Sequence, residues 1–279
     1  MSRPQVPHWV DADRVSSAMQ VCCNFVAPQR PTPIVTPAQR KPRAPHQRRR
    51  AAAESRAAGD GTSTPSPPPA DSTITYHDSL TDIAFIGLCR LAYGRIAGWQ
   101  SERSWTNGPE TFRGMVEVSR SLMKGRSAAQ QRDAVTAGFP QVPPWFRRVF
   151  PYSRKGAEIN ARITPAFFTW LVGPMQTAAV EIDGQQQMSA VKIERCRYLA
   201  ESNCVGMCVN LCKSPTQHFF TTQLGMPLTM NPNFEDLSCE MVFGKEPPPL
   251  EADPVAIQPC LATCTTAMAA GSQRCHKLD

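Results

Sequence analysis

The chain has 279 residues, with 30 lysines and arginines against 23 aspartates and glutamates. Residues 1–71 hold ten basic and five acidic side chains, which leaves 20 against 18 in the rest of the chain. This nearly neutral body lacks the basic face that phosphate-backbone binding requires, so a nucleic-acid partner is not expected. No stretch is long and apolar enough for a transmembrane segment, and peripheral contact with a membrane stays open.

Residues 1–72 are predicted to form a disordered leader. They contain twelve prolines, a run of three arginines from Arg48 and a low-complexity string at 64–69. Such a composition cannot bury enough apolar surface to offset chain entropy. The basic, alanine-rich and acid-poor character is also typical of an organelle transit peptide. The alternative is a solvated tail with no targeting role.

Residues 73–275 are long enough for a single domain, and its first half is predicted to be helical. Ser79 and Asp82 form a capping pair for a helix that runs to Gly98. The wide apolar face of this helix predicts a place at the centre of the core. Further helices are expected over 111–123, 127–137 and 156–177, with an irregular segment at 140–146.

The second half changes to strand periodicity. Apolar alternation at 179–182 and 190–198 flanks the turn residues Asp183 and Gly184, which predicts a hairpin, and 237–243 predicts a further short strand. The cysteine row that follows the hairpin is predicted to lie on a helix that Pro215 kinks or restarts. The expected fold class is therefore α+β, a helical N-terminal half packed with a small antiparallel sheet and a cysteine-rich helix.

Eight of the eleven cysteines lie in the last third of the chain. In the string Cys204-Val-Gly-Met-Cys208-Val-Asn-Leu-Cys212, helical spacing of four places three sulfurs on one face. Cys239, on a separate strand, is the expected fourth ligand. Thiols at this density indicate a metal or redox site, and the four are the first candidates for metal ligands.

Cys260 and Cys264 repeat the spacing of four and form a reserve pair. Thiolate ligands suit zinc, iron–sulfur clusters and mononuclear iron, and a row on one helix face matches zinc sites less well than iron sites. Reduced cysteines that bind no metal are the alternative. Only His77, His218 and His276 lie in the body, so a histidine-rich site is not expected, and no nucleotide-binding motif is present.

The cysteine row belongs to a longer ordered string that resembles a known family. The matching segments are 170–174, 191–199, 204–220, 224–228, 230–235, 251–254 and 260–264. They resemble the plastid β-carotene isomerases of strigolactone biosynthesis, the dwarf-twenty-seven type, whose C-terminal domain binds iron. The resemblance covers most of residues 75–275 and is strongest from residue 170 onward.

The resemblance implies an iron-dependent enzyme of the chloroplast that isomerises all-trans-β-carotene to its 9-cis form. The iron would be mononuclear or part of an iron–sulfur cluster. A carotenoid needs an apolar cleft, for which Phe167, Phe168 and Trp170 are the candidate contacts, while the sequence names no catalytic residue. The rival interpretation is a non-catalytic module that zinc or an iron–sulfur cluster stabilises and that only carries a lipid or carotenoid.

Overall fold

The computed structural model describes residues 75–264 and 274–278. The leader prediction for residues 1–72 lies outside the described residues. The described part is a mixture of helices and one small antiparallel sheet, which confirms the α+β class. Among these residues, no helix combines the length and the apolar character that spanning a bilayer requires.

Five helices form the first half, and side-chain caps fix where the first three begin. Ser79 and Ser127 each form a capping box, and the Asn107 side chain accepts from the backbone N–H of Glu110. The first helix also ends at Gly98, as predicted, and this glycine has a left-handed backbone. The helices are α1 (Leu80–Ala97), α2 (Gly108–Leu122), α3 (Ala128–Thr136), α4 (Pro144–Val149) and α5 (Arg154–Val172).

The sheet has four strands in the order β1-β2-β4-β3, and all neighbours are antiparallel. Asp183 and Gly184 have positive φ values of 52° and 74°, the backbone that a two-residue hairpin turn requires. The predicted hairpin is therefore confirmed. The strands are β1 (Met175–Ile182), β2 (Gln185–Ile193), β3 (Leu228–Pro232) and β4 (Cys239–Phe243).

Between β2 and β3 the chain forms a series of short helices, two of which are π-helical. Pi-helical turns are rare and often occur at functional sites. Pro215 lies in the first turn of an α-helix that follows one of them, so the helix restarts there. The elements are α6 (Arg197–Ser202), α7 (Val205–Met207), the first π-helix (Cys208–Lys213), α8 (Ser214–His218) and the second π-helix (Phe219–Leu224).

Four sequence predictions about element boundaries are wrong. Helix α5 ends at Val172 instead of residue 177, because Gly173 leaves the helix with a φ of 87° and β1 begins two residues later. Strand β2 ends at Ile193, since Cys196 already caps α6. The segment predicted as irregular contains the start of α4, and β3 was not predicted.

Helix α2 contributes more side chains to the core than α1 does. Phe112, Met115 and Leu122 of α2 are fully or almost fully buried. Helix α1 buries only a narrow stripe, Ile86, Arg90 and Gly94, while several of its apolar side chains are exposed. The prediction that α1 occupies the centre of the core is therefore wrong, because its apolar surface is wider than the surface it packs against.

A buried ion pair joins the start of the described chain to α6. Arg197 binds both carboxylate oxygens of Asp78, at 2.5 and 2.8 Å, and both side chains are 4% exposed. The guanidinium lies 3.9 Å from the ring centroid of Phe112 and also donates to the backbone oxygen of Trp170. Loss of one partner would leave the other as an uncompensated buried charge.

Asp78→Ala should lower the free energy of unfolding by about 3–5 kcal/mol, because Arg197 would stay buried without its counter-ion. The midpoint of urea unfolding measures this effect. Glu201→Ala is the matched control, since Glu201 pairs with Arg113 at an exposed position, and it should cost less than about 1 kcal/mol. Equal losses in both variants would contradict the prediction.

Candidate metal centre

The structure describes nine cysteines, and most of them fall into two neighbourhoods. Cys196, Cys208, Cys212 and Cys239 form the inner thiol group, in which Cys212 is partly buried and the other three are buried. Cys260, Cys275 and His276 form the Cys–His group near the end of the chain.

The inner thiol group is assembled from the first π-helix, the start of α6 and β4. Burial raises the pKa of Cys208 well above its ordinary value, and the nearby Cys212, Cys239 and Cys196 raise it further. Burial and the proximity of Cys196 likewise raise the pKa of Cys212 to about 12. Because neighbouring thiolates would repel one another, the inner thiols resist deprotonation unless a cation is present.

Lys213 brings a buried positive charge to the edge of the inner thiol group. Its side chain is 2% exposed, lies 2.7 Å from a carboxylate oxygen of Asp253 and donates to the backbone oxygen of Met230. This ammonium acts against the rise in the pKa of Cys208 and of Cys239, although burial outweighs it in both. The pair also joins the π-helix to the segment that precedes the Cys–His group.

The Cys–His group is the one set of three potential metal ligands in the described residues whose ligating atoms all lie within 4.8 Å of one another. The Sγ atom of Cys260 is 3.9 Å from Nδ1 of His276, and Cys275 is buried beside them. Burial and contact with Cys275 raise the pKa of Cys260 to about 12, with a smaller effect of Cys264. Cys264 therefore lies at the edge of this group.

Two sulfurs and one imidazole nitrogen suit a transition metal of borderline softness. Zinc and iron both accept this donor set, and three protein ligands leave a coordination position open. The residues present therefore fit a metal ion. Cys204 has Cys264 and Cys275 as its neighbouring thiols. Cys204 and Cys264 would therefore lie close to such an ion.

Two asparagines hold the Cys–His group against the rest of the protein. Asn210 of the first π-helix is fully buried and donates to the backbone oxygen of Lys277 at 2.7 Å and to the side chain of Gln131 at 2.9 Å. Asn203 donates to the backbone and side-chain oxygens of Thr263. The backbone next to Cys264 and His276 is thereby fixed by side chains from α6 and the π-helix.

The predicted ligand set Cys204, Cys208, Cys212 and Cys239 is divided between these neighbourhoods. Cys204 has an extended backbone, with φ −142° and ψ 115°, so it does not continue the helix face of Cys208. Its neighbours are Cys264 and Cys275, whereas Cys208 has Cys212 and Cys239. The set as a whole stays a prediction.

Three residues of these groups were absent from the predicted ligands. Cys196 falls in the strand predicted over 190–198, and no element is predicted for Cys275 and His276. The adjacent pair Cys275-His276, following the spacing of Cys260 and Cys264, is the signal that could have indicated them. The contact of His276 with Cys260 joins residues 16 apart in the chain, and their spacing does not predict it.

The three aromatic residues predicted to contact substrate all lie near the end of α5. Phe167 and Phe168 are 59% and 43% exposed, and Trp170 stacks on Phe85 with the ring centroids 6.1 Å apart. Trp170 also borders a cavity of about 210 Å³ beside Arg197. Phe167 and Phe168 line neither this cavity nor a larger one of about 460 Å³ between α3, α8 and the proline-rich segment 247–249.

Comparison with known proteins assigns the chain to a family. Residues 170–252 match the family model described as "Beta-carotene isomerase D27-like, C-terminal". The chain is 41% identical over 170 residues to "Beta-carotene isomerase D27, chloroplastic" of Medicago truncatula, covering 59% of this chain and 68% of that protein. It is 40% identical over 155 residues to the protein of the same name from Arabidopsis thaliana, covering 54% and 59%.

No solved structure matches the chain. The sequence match to the Medicago protein nevertheless extends over more than two thirds of that relative. The family match also includes the whole of the inner thiol group and Lys213. The chain belongs to the β-carotene isomerase D27-like family.

Proposed function

We propose that this protein is a carotenoid cis–trans isomerase of the chloroplast that converts all-trans-β-carotene to the 9-cis isomer. The observation that carries the proposal is the identity of about two in five residues with two proteins named as chloroplastic β-carotene isomerases. As proposed, residues 1–72 are the leader that directs it to the plastid, and residues 73–275 are the isomerase domain. Its product would serve strigolactone biosynthesis.

Iron is the proposed cofactor, and Cys260, Cys275 and His276 are the residues proposed to hold a mononuclear ion. The support is the geometry of this group and the chemistry of its donors. When bound, iron supplies one-electron chemistry at a polyene, and isomerisation requires no net electrons. The inner thiol group is the alternative location for the iron. Its four sulfurs would suit an iron–sulfur cluster better than a single ion.

The protein's own residues would orient the metal site and keep it from water. Asn210 and Asn203 fix the backbone on both sides of the Cys–His group, and Cys275 is almost completely buried. Lys213 places a fixed positive charge near Cys208 and Cys239, which offsets part of the rise in pKa that burial causes in both thiols.

Phe167, Phe168 and Trp170 are the proposed contacts for the carotenoid hydrocarbon. The larger cavity is a poor place for it, because its walls include Arg132, Asp133 and other polar side chains. A hydrocarbon would leave those groups without hydrogen-bond partners. A hydrocarbon that packs on the exposed aromatic rings at the end of α5 would leave no such polar groups without partners.

His276→Gln and Cys275→Ser should each remove most of the iron from protein purified without oxygen, because each change takes away one of three ligands. Elemental analysis per chain measures this. His218→Gln is the matched control, since His218 borders the larger cavity and not the Cys–His group. Full iron content in both ligand variants, with its loss in Cys208→Ser, would place the metal in the inner thiol group instead.

The iron-loaded protein should accumulate 9-cis-β-carotene from all-trans substrate in detergent micelles in the dark, above a boiled control. His276→Gln should lower the initial rate at least about tenfold. Loss of a residue that only hydrogen-bonds to a metal ligand has an effect of about this size, and this change removes a ligand itself. Chromatography of the isomers measures the rate. Tetrahedral zinc in place of iron, with no conversion of isomers, would favour the non-catalytic, metal-stabilised carrier.

A further inference from the structure

Helix α1 presents an apolar face to solvent. Leu80, Phe85, Leu88 and Leu91 are 86%, 46%, 40% and 42% exposed, although α1 is otherwise packed on α2. They lie opposite the buried stripe that contains Ile86. Single exposed apolar side chains are ordinary, but a whole apolar helix face in solvent marks an interaction surface.

Helix α5 continues this surface. Ile159, Ile163 and Phe167 follow one another at intervals of four residues and are 59%, 44% and 59% exposed, whereas Ala157 and Ala161 are buried beneath the helix. The two helices meet where Phe85 stacks on Trp170, and the Trp170 indole donates to the backbone oxygen of Phe167. We call the outward sides of α1 and α5 together the α1–α5 face.

The exposed charged side chains of α1 and α5 have one sign. In these two helices, which are described over their full length, every exposed charged side chain is basic: Arg95, Arg154, Lys155 and Arg162. The two acidic residues are less exposed and already engaged. Asp82 accepts in the cap of α1, and Glu158 pairs with Arg154 at 3.3 Å.

We propose that the α1–α5 face docks on an anionic lipid surface. Exposed aliphatic and aromatic side chains beside basic ones are the composition of helices that lie in the interface of a membrane. The basic side chains would meet anionic headgroups while the apolar ones enter the acyl boundary. The inference does not rest on isomerase activity, because lipid binding needs no carotenoid.

Charge argues against two other occupants of the α1–α5 face. A second copy of the chain would bring the same basic side chains opposite one another. Residues 1–71 carry ten basic and five acidic side chains, so they also offer no complementary charge. An anionic bilayer supplies both the negative charge and the apolar interior that the face requires.

The test is sedimentation of the full chain with vesicles of phosphatidylcholine alone and with about 30% phosphatidylglycerol added. The protein should bind the anionic vesicles and lose binding in high salt. Lys155→Glu combined with Arg162→Glu should weaken binding at least about tenfold by removing charge attraction. Ile163→Ser combined with Phe167→Ser should do so by removing apolar burial.

The matched controls are Lys192→Glu, at an exposed position on β2, and Ile257→Ser, which is 73% exposed in the C-terminal part of the domain. Both should bind as the unchanged protein does, and all variants should keep its urea-unfolding midpoint. Equal binding by face and control variants would overturn the proposal. A dimer in solution that Phe167→Ser dissociates would also overturn it, in favour of a second copy as the occupant.

Discussion

The ion pair between Lys213 and Asp253 is the interaction on which the arrangement of the thiols depends. Both side chains are almost completely buried and lie 2.7 Å apart, and Lys213 also binds the backbone of β3. Desolvation of two charges is costly, so such a pair contributes more to a unique arrangement than to stability. It joins the π-helix of the inner thiol group to the edge of the sheet and to the segment that leads to Cys260.

Local chemistry made much of the helical half predictable. Ser79, Asn107 and Ser127 begin helices because their side chains satisfy the first backbone N–H groups, and the Asp183-Gly184 turn determines the hairpin. Strand β3 was missed because it is short, lies at the edge of the sheet and ends in Pro232, where a proline is tolerated but weakens the sequence signal. The exposure of α1 was missed because periodicity reveals an apolar face and not the partner that covers it.

The site was less predictable than the fold. Spacing of four implied one helix face for Cys204, Cys208 and Cys212, but the backbone is extended at Cys204 and π-helical from Cys208. Neither deviation has a reliable signature in the sequence. The approach of His276 to Cys260 depends on long-range hydrogen bonds, above all from Asn210 to the backbone of Lys277. Spacing along the chain carries no information about a contact of that kind.

The two thiol neighbourhoods and the α1–α5 face are connected by a short series of contacts. Trp170, at the edge of the face, accepts from Arg197 through its backbone oxygen, and Arg197 directly follows Cys196 of the inner thiol group. On the other side of that group, the backbone N–H of Cys208 donates to the oxygen of Cys204, whose neighbouring thiols are Cys264 and Cys275. A water-insoluble substrate taken from a membrane would reach the end of α5 first. The hydrogen bond from Arg197 to Trp170 joins that point to the start of α6 and so to Cys196. Cys204, four residues before Cys208, has Cys275 of the Cys–His group as a neighbouring thiol, so both thiol neighbourhoods are joined to the α1–α5 face through protein alone.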